Sequence, residues 1–114
     1  MDDSERALLV RLLDENFEGA AELREQVSSA LVTGGDATWL DLMVDPAAPT
    51  AACGDGPIPV DAWACDPAGN PIGALLVWVD GGRLSAIEYG WVTDDEPSSL
   101  PPASSITLNV TPGR

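Results

Sequence analysis

The sequence contains no histidine and no lysine, which removes most side chains that enzymes use for proton transfer and covalent catalysis. Without a lysine no Schiff base forms, and without a histidine neither Cys53 nor Cys65 has an imidazole to activate it. Two sulfurs also fall short of the ligand set of a structural zinc site, and in an intracellular chain they are expected to be thiols. Carboxylates are the only groups left for acid–base or metal chemistry, and no phosphate-binding loop or dinucleotide motif accompanies them.

Positive charge is scarce, since 5 arginines face 19 aspartates and glutamates for a formal net charge of −14. Such a surface repels phosphate backbones and anionic lipids, so we expect no binding to nucleic acid or membrane. It attracts cationic partners, including basic proteins. The same lysine-free composition is also typical of GC-rich genomes and salt-adapted organisms, so composition alone does not establish a basic partner.

Long hydrophobic runs are missing as well, because no stretch approaches the ~20 apolar residues that a membrane span needs. The acidic start Met1-Asp2-Asp3-Ser4-Glu5 does not resemble a signal peptide, and we expect a cytoplasmic protein. A chain of 114 residues with 45% hydrophobic residues predicts one folded domain over 1–114. Its 11 glycines and 10 prolines favour turns and short elements.

The N-terminal part of the chain has a helical period. Residues 4–14 predict a helix that Asp3 or Ser4 caps. A second, shorter helix is expected over 19–27. The apolar stripes that these helices turn inward are Leu8, Leu9, Leu12 and Leu13 on the first and Ala20, Leu23 and Val27 on the second.

The rest of the chain has a period of two. It predicts strands over 38–45, 58–66, 72–79, 83–93 and 105–110, with a short first strand at Leu31 and Val32 that the glycines after it end. The apolar segment 72–79 is expected to be buried on both faces, and 46–57 and 94–104 are expected to be loops. The sequence therefore predicts an α+β fold, with two N-terminal helices packed on one face of a five- to six-stranded, mainly antiparallel sheet.

Four tryptophans fall one to a strand. Trp39 and Asp41 are two residues apart, as are Asp61 and Trp63, so in a strand each pair projects to one face. The residues that project to the opposite face are more uniformly apolar. The helices should cover the apolar side and leave these residues on the helix-free face. Parity does not decide the face of the other two tryptophans. If all four share that face, the candidate binding residues are Trp39, Asp41, Asp61, Trp63, Trp78 and Trp91.

Two interpretations of these rings stay open. They can form a minor core under the long loops or the contact of a homodimer, because large aromatics commonly serve packing and interfaces. They can instead form a binding face, where indole beside carboxylate suits a cationic partner and a sugar could also stack. The acidic run Asp94-Asp95-Glu96, with Glu88, offers oxygen ligands for a hard cation, but its spacing matches no calcium loop. We therefore predict no metal and no cofactor.

Two stretches of the sequence carry a resemblance. The first comprises Glu5-Arg6-Ala7-Leu8-Leu9, Phe17-Glu18-Gly19 and Leu23-Arg24-Glu25-Gln26. The second comprises Gly82-Arg83-Leu84-Ser85-Ala86-Ile87-Glu88-Tyr89, Thr93-Asp94-Asp95-Glu96-Pro97 and Leu100-Pro101. They resemble a family of small, acidic, mostly actinobacterial α+β proteins without an assigned function. The resemblance implies a stand-alone cytoplasmic domain, and no functional residues carry over. Some similar small acidic proteins are encoded beside toxins, which implies an immunity role.

Three functional hypotheses follow. The first is a non-enzymatic binding or protein-interaction domain that uses the helix-free sheet face or the acidic loops. The second is an immunity-type inhibitor that covers a basic toxin. The third is a small carboxylate enzyme, with or without a metal, which requires Glu88 or Asp41 inside a real pocket. The absent bases favour the two non-enzymatic hypotheses.

Overall fold

The computed structural model describes residues 1–110 and confirms the α+β class. Two α-helices, α1 (Asp3–Leu12) and α2 (Ala20–Gln26), precede a seven-stranded sheet. Short 3-10 turns cover Val27–Ser29 and Ala103–Ser105. The strands are β1 (Leu31–Asp36), β2 (Trp39–Met43), β3 (Gly56–Pro57), β4 (Val60–Cys65), β5 (Pro71–Asp80), β6 (Arg83–Trp91) and β7 (Ile106–Val110). No helix in this part of the chain is long and apolar enough to cross a membrane.

Helix α1 begins one residue earlier than the sequence predicts. Asp2, rather than Asp3 or Ser4, is the N-cap: its carboxylate accepts from the Glu5 amide at 2.7 Å, and the Glu5 carboxylate accepts from the Asp2 amide at 2.9 Å. This reciprocal capping box satisfies two amides that the first turn leaves free. The apolar stripe is as predicted, since Leu8, Leu9, Leu12 and Leu13 are all at most 1% exposed.

All strand pairings of the sheet are antiparallel, and its order is β1-β2-β6-β5-β4-β7, with β3 beside β5. Two strand predictions were wrong. Strand β3 lies inside the segment 46–57, which is predicted to be a loop because it lacks any apolar pattern. Its main chain pairs with β5, and this pairing does not depend on apolar side chains. Strand β1 continues through Gly34 and Gly35 to Asp36, because the register shift after Val32 makes Thr33 an unpaired extra residue and the chain then re-enters the ladder.

One face of the sheet carries the core. The leucines of α1 and α2 join alternate residues of the strands in one buried cluster, which on β5 includes Leu75, Val77 and Val79. The intervening residues of β5, among them Leu76 and Trp78, are only half-buried. The expectation that 72–79 is buried on both faces was therefore wrong. Strand β5 is central in the ladder, but the helices form a single layer.

A buried glutamine connects the helices to the sheet. Gln26, at the end of α2, is 0% exposed. Its amide nitrogen donates to the carbonyl oxygens of Pro49 and Gly82 at 2.8 and 2.9 Å, and its oxygen accepts from the Leu84 amide at 2.9 Å. Gln26 thereby fixes α2 and the loop after β2 to the β5–β6 hairpin. The sequence pattern does not predict this role, because a search for buried residues of α2 by its apolar stripe passes over a polar side chain such as Gln26.

Candidate functional site

The helix-free face of the sheet is defined by strand register. Trp39 of β2 pairs with Glu88 of β6, and Glu88 in turn pairs with Leu76 of β5. Paired residues of neighbouring strands project to the same side, so the register collects one set of side chains. The set includes Leu31, Gly34, Asp36, Trp39, Asp41, Met43, Pro57, Asp61, Trp63, Ala74, Leu76, Trp78, Ala86, Glu88, Gly90 and Thr107. Five of the six predicted binding residues lie in it.

Each of the three tryptophans on this face donates its indole N–H to a carboxylate of the same face. Trp39 Nε1 donates to Asp41 Oδ1 at 2.8 Å, and Trp63 Nε1 donates to Asp61 Oδ1 at 3.2 Å. Both pairs are two residues apart on one strand, which is the spacing that keeps side chains on one face. Trp78 Nε1 donates to Glu88 Oε1 at 3.0 Å across the β5–β6 ladder. These bonds fix the direction of the rings and hold the acids beside them.

Two of the rings form a pair over strand β6. The ring centroids of Trp39 and Trp78 are 6.3 Å apart, with planes tilted by 35°, although their strands are not adjacent. Ala86 lies between them, across from Trp78, and is only 2% exposed although no helix covers this side. The small side chain of Ala86 leaves room for the rings, and the rings in turn cover it. Trp63 is on β4, further along the face.

The outer part of the helix-free face is open. Leu31, Trp39 and Met43 are 60%, 37% and 61% exposed, and they lie together on the β1–β2 hairpin. Exposed large apolar side chains that share one face are more informative than scattered ones, because soluble proteins limit such patches. The face therefore combines aromatic and aliphatic surface with the carboxylates of Asp41, Asp61 and Glu88.

Trp91 does not belong to this face. It pairs with Gly73 of β5 and has the parity of Ile87 and Tyr89, which are 0% and 4% exposed on the core side. Trp91 is 37% exposed because it is the last residue of β6, where the helix layer no longer covers the sheet. The register thus brings three of the four tryptophans together and leaves this one at the end of the opposite side.

The four arginines within residues 1–110 do not pair with the acids of the helix-free face. Arg6, Arg11, Arg24 and Arg83 each donate to main-chain carbonyl oxygens, at distances of 2.6 to 3.2 Å. Among the residues that the structure describes, the one ion pair is Arg11–Asp14 at 3.7 Å. These four cations therefore stabilise loops and helix ends, and within the described residues no arginine forms an ion pair with Asp41, Asp61 or Glu88.

The geometry gives little support to a catalytic interpretation. The cavity of about 350 Å³ at Cys53 and the cavity of about 650 Å³ at Cys65 contain neither Glu88 nor Asp41, and both cysteines are free thiols. Burial, with the negative charge of nearby Glu18 as a smaller cause, raises the pKa of the Cys53 thiol and so disfavours a thiolate nucleophile. Within 1–110, acidic and cysteine side chains form no group of three or more that could hold a metal ion.

Comparison of the chain with protein-family models, with curated proteins and with solved structures finds no match. The resemblance to small actinobacterial proteins stays a prediction. The strand register is what defines the helix-free face. Sequence reasoning placed Trp39 and Trp63 on it by parity, but missed that Glu88 binds Trp78. That pairing depends on the register shift at Ser85, which alternation along a single strand does not reveal.

Proposed function

We propose that the chain is a non-enzymatic binding domain whose helix-free face binds an arginine-rich segment of a basic protein. One observation carries the proposal: three indoles and three carboxylates are paired on one sheet face, and no ion pair reaches those carboxylates among the described residues. Charge complementarity selects the partner, because the chain has a formal charge of −14.

Arginine suits the chemistry of this face better than other side chains. Each indole N–H is already bound to a carboxylate, so the ring faces and the second carboxylate oxygens remain for a ligand. A planar guanidinium can stack on an indole and donate to a neighbouring carboxylate at the same time. A lysine ammonium is a more strongly hydrated point charge and gains less from the rings. A neutral sugar would stack on the rings but would make no use of the charge.

The experiment is a calorimetric titration of the chain with deca-arginine and, separately, with deca-lysine at low and physiological salt. We expect saturable binding that is several-fold tighter for deca-arginine, and weaker for both peptides as salt rises. Deca-arginine should also quench or shift tryptophan emission, because the rings form part of the site. Absence of saturable binding, or equal binding of the two peptides without a change in emission, would contradict the proposal.

A matched pair of triple variants separates the sheet face from the acidic loop. The first, Asp41→Asn/Asp61→Asn/Glu88→Gln, removes the charges but leaves each indole a carbonyl oxygen to donate to. We expect it to weaken deca-arginine binding at least tenfold, or about 1.4 kcal/mol. The second, Asp94→Asn/Asp95→Asn/Glu96→Gln, removes the same formal charge from exposed positions after β6. It should weaken binding only about twofold through the general field. If the loop variant weakens binding more than the sheet-face variant does, the binding site lies in the acidic loop and not on the sheet face.

Two other occupants of the face give different results. A second copy of the chain would bring like charges together, so a homodimer should form more readily at high salt and double the mass in light scattering. A basic toxin inhibited by this chain is the special case in which the arginines belong to an enzyme. Inhibition of that enzyme by the chain, with an association rate that falls steeply as salt rises, would identify this case.

A further inference from the structure

A second feature of the molecule lies away from the helix-free face. At the end of the core, the residues after β6 fold back over the turn between β4 and β5 and border an open cavity of about 650 Å³. Its lining is mainly apolar, with a few hydroxyls, one thiol and one carboxylate, and includes Cys65, Asp66, Ile72, Tyr89, Leu100 and Pro101. A cavity of this volume lies within the range of small-molecule sites, roughly 300–1,000 Å³.

Tyr89 supplies one of the polar groups of this cavity. The residue is 4% exposed, yet its hydroxyl has no hydrogen-bond partner among the residues that the structure describes. Burial raises the pKa of the Tyr89 phenol, so the group stays protonated and is a donor. The hydroxyl oxygen is not among the buried polar atoms without a partner, so it stays accessible and can donate to an acceptor in the cavity.

The position of the Tyr89 ring depends on Gly73. A Cβ atom at position 73 would collide with Tyr89 Cε1, so the ring lies directly over the glycine of the neighbouring strand. Ile72, beside it, is the extra residue at the register shift between β4 and β5 and packs against the core. The absence of a side chain at position 73 thus lets the tyrosine reach the cavity.

The cover of the cavity is held by packing rather than by hydrogen bonds. Leu100 packs against the core and Pro101 is buried, but no hydrogen bond joins 96–101 to another element of the described chain. Prolines at 97, 101 and 102 remove the amides that could anchor it. A ligand can therefore enter from the open side, and the segment can adjust to it without breaking a hydrogen bond.

We propose that this cavity binds a small, uncharged, mostly apolar molecule through one acceptor oxygen on the Tyr89 hydroxyl. The apolar lining takes the body of the molecule, and the hydroxyl fixes its orientation. Anions are disfavoured because the net charge of −14 and the Asp66 carboxylate in the lining repel them. A cation would have to compete for that carboxylate with Ala68 and Asn70, which already donate to it. This site is independent of the proposed arginine-binding face.

The test is an amide-resolved NMR titration of the full chain with acetophenone, ethylbenzene and benzoate. All three probes have an aromatic ring. Acetophenone adds a neutral acceptor oxygen, ethylbenzene has no oxygen, and benzoate carries a negative charge. We expect saturable shifts for acetophenone at the amides of Ile72, Tyr89 and Leu100. Ethylbenzene should bind about five- to tenfold more weakly, as expected for one lost hydrogen bond, and benzoate should give no saturable shift.

Two variants make the result specific. Tyr89→Phe keeps the ring and removes the hydroxyl, so acetophenone should bind as weakly as ethylbenzene while the affinity for ethylbenzene is unchanged. Trp39→Phe changes the helix-free face and should leave both affinities unchanged. The proposal is overturned if acetophenone gives no saturable shift at the cavity, or if Tyr89→Phe keeps the preference for acetophenone over ethylbenzene. Failure of deca-arginine binding bears on the other site alone.

Discussion

The two faces of this sheet are made by the same strands and yet differ in almost every physical property. On the core side, alternate residues of β5 such as Leu75 and Val77 are at most 3% exposed under the helices. On the helix-free side, the residues between them are half-buried, and aromatic rings alternate with carboxylates. The difference indicates that alternate residues of the same strands serve different purposes: one set forms the core, and the other set forms the surface proposed for binding. A face that the fold does not need for its core should therefore tolerate change at little cost in stability.

The largest expected difference in the free energy of unfolding is between alanine variants of two neighbouring leucines of β5. Leu75→Ala should destabilise the protein by about 2–5 kcal/mol, because it leaves a cavity in the core. Leu76→Ala makes the same chemical change on the helix-free face, where the side chain is half-buried, and should cost about 1 kcal/mol or less. Urea denaturation of the two variants measures both values. Equal destabilisation would mean that a second layer covers the helix-free face in solution.

Gln26 provides the next test, because it is a polar residue on the core side. Gln26→Met keeps the volume but removes the partner of the Leu84 amide and of the Pro49 carbonyl, and leaves the Gly82 carbonyl with the Ala51 amide alone. We expect urea denaturation to show a loss of about 2–4 kcal/mol from these unsatisfied buried groups. The control is Glu25→Met, on the exposed side of the same helix, which should change stability by less than about 0.5 kcal/mol. A neutral Gln26→Met would refute the connecting role of this side chain.

A smaller difference in the free energy of unfolding is expected between phenylalanine variants of two tryptophans on opposite faces of the sheet. Trp78→Phe removes the indole donor of a half-buried bond to Glu88 and should cost about 1 kcal/mol more than Trp91→Phe. Trp91 lies at the end of β6, so its replacement should change neither stability nor deca-arginine binding appreciably. Denaturation and titration of the two variants side by side give both readouts. If Trp91→Phe weakens binding more than Trp78→Phe does, the site lies on the opposite face.

The smallest expected effect concerns carboxylates in turns rather than on the sheet face. Main-chain amides of the β4–β5 turn, Asn70 foremost, lower the pKa of Asp66, and the amide of Thr38 does the same for Asp36. The folded state therefore favours the ionised forms. Their contribution is present above the ordinary pKa of 3.8 and is lost as pH falls through the lower folded value.

Asp66→Asn should accordingly flatten the fall of the urea midpoint below pH 4 and leave the midpoint at neutral pH lower by a small amount. Asp94→Asn, at an exposed loop position, is the control and should preserve the wild-type slope. An unchanged acid slope in Asp66→Asn would show that the turn hydrogen bonds are not maintained in solution.

The sequence predicts the helices and most strands because their signals are local. The leucine stripe of α1 and the alternation around Trp39 and Trp63 each depend on spacing within one element. The parts that it does not predict depend on pairing between elements. The register shift at Ser85 decides which side of β6 faces Trp78, and the burial of Gln26 depends on carbonyls 23 and 56 residues away. The cavity at Tyr89 likewise requires a cover from a distant proline-rich segment.

The most direct test of the account is acrylamide quenching of tryptophan emission, combined with light scattering, before and after addition of deca-arginine. The account predicts a monomer with quenchable tryptophans that become protected when the peptide binds, and it predicts that Asp41→Asn/Asp61→Asn/Glu88→Gln loses this protection. A dimer with protected tryptophans, or a monomer whose tryptophans the peptide leaves equally quenchable, would contradict the claim that the helix-free face is a binding surface for a cationic partner.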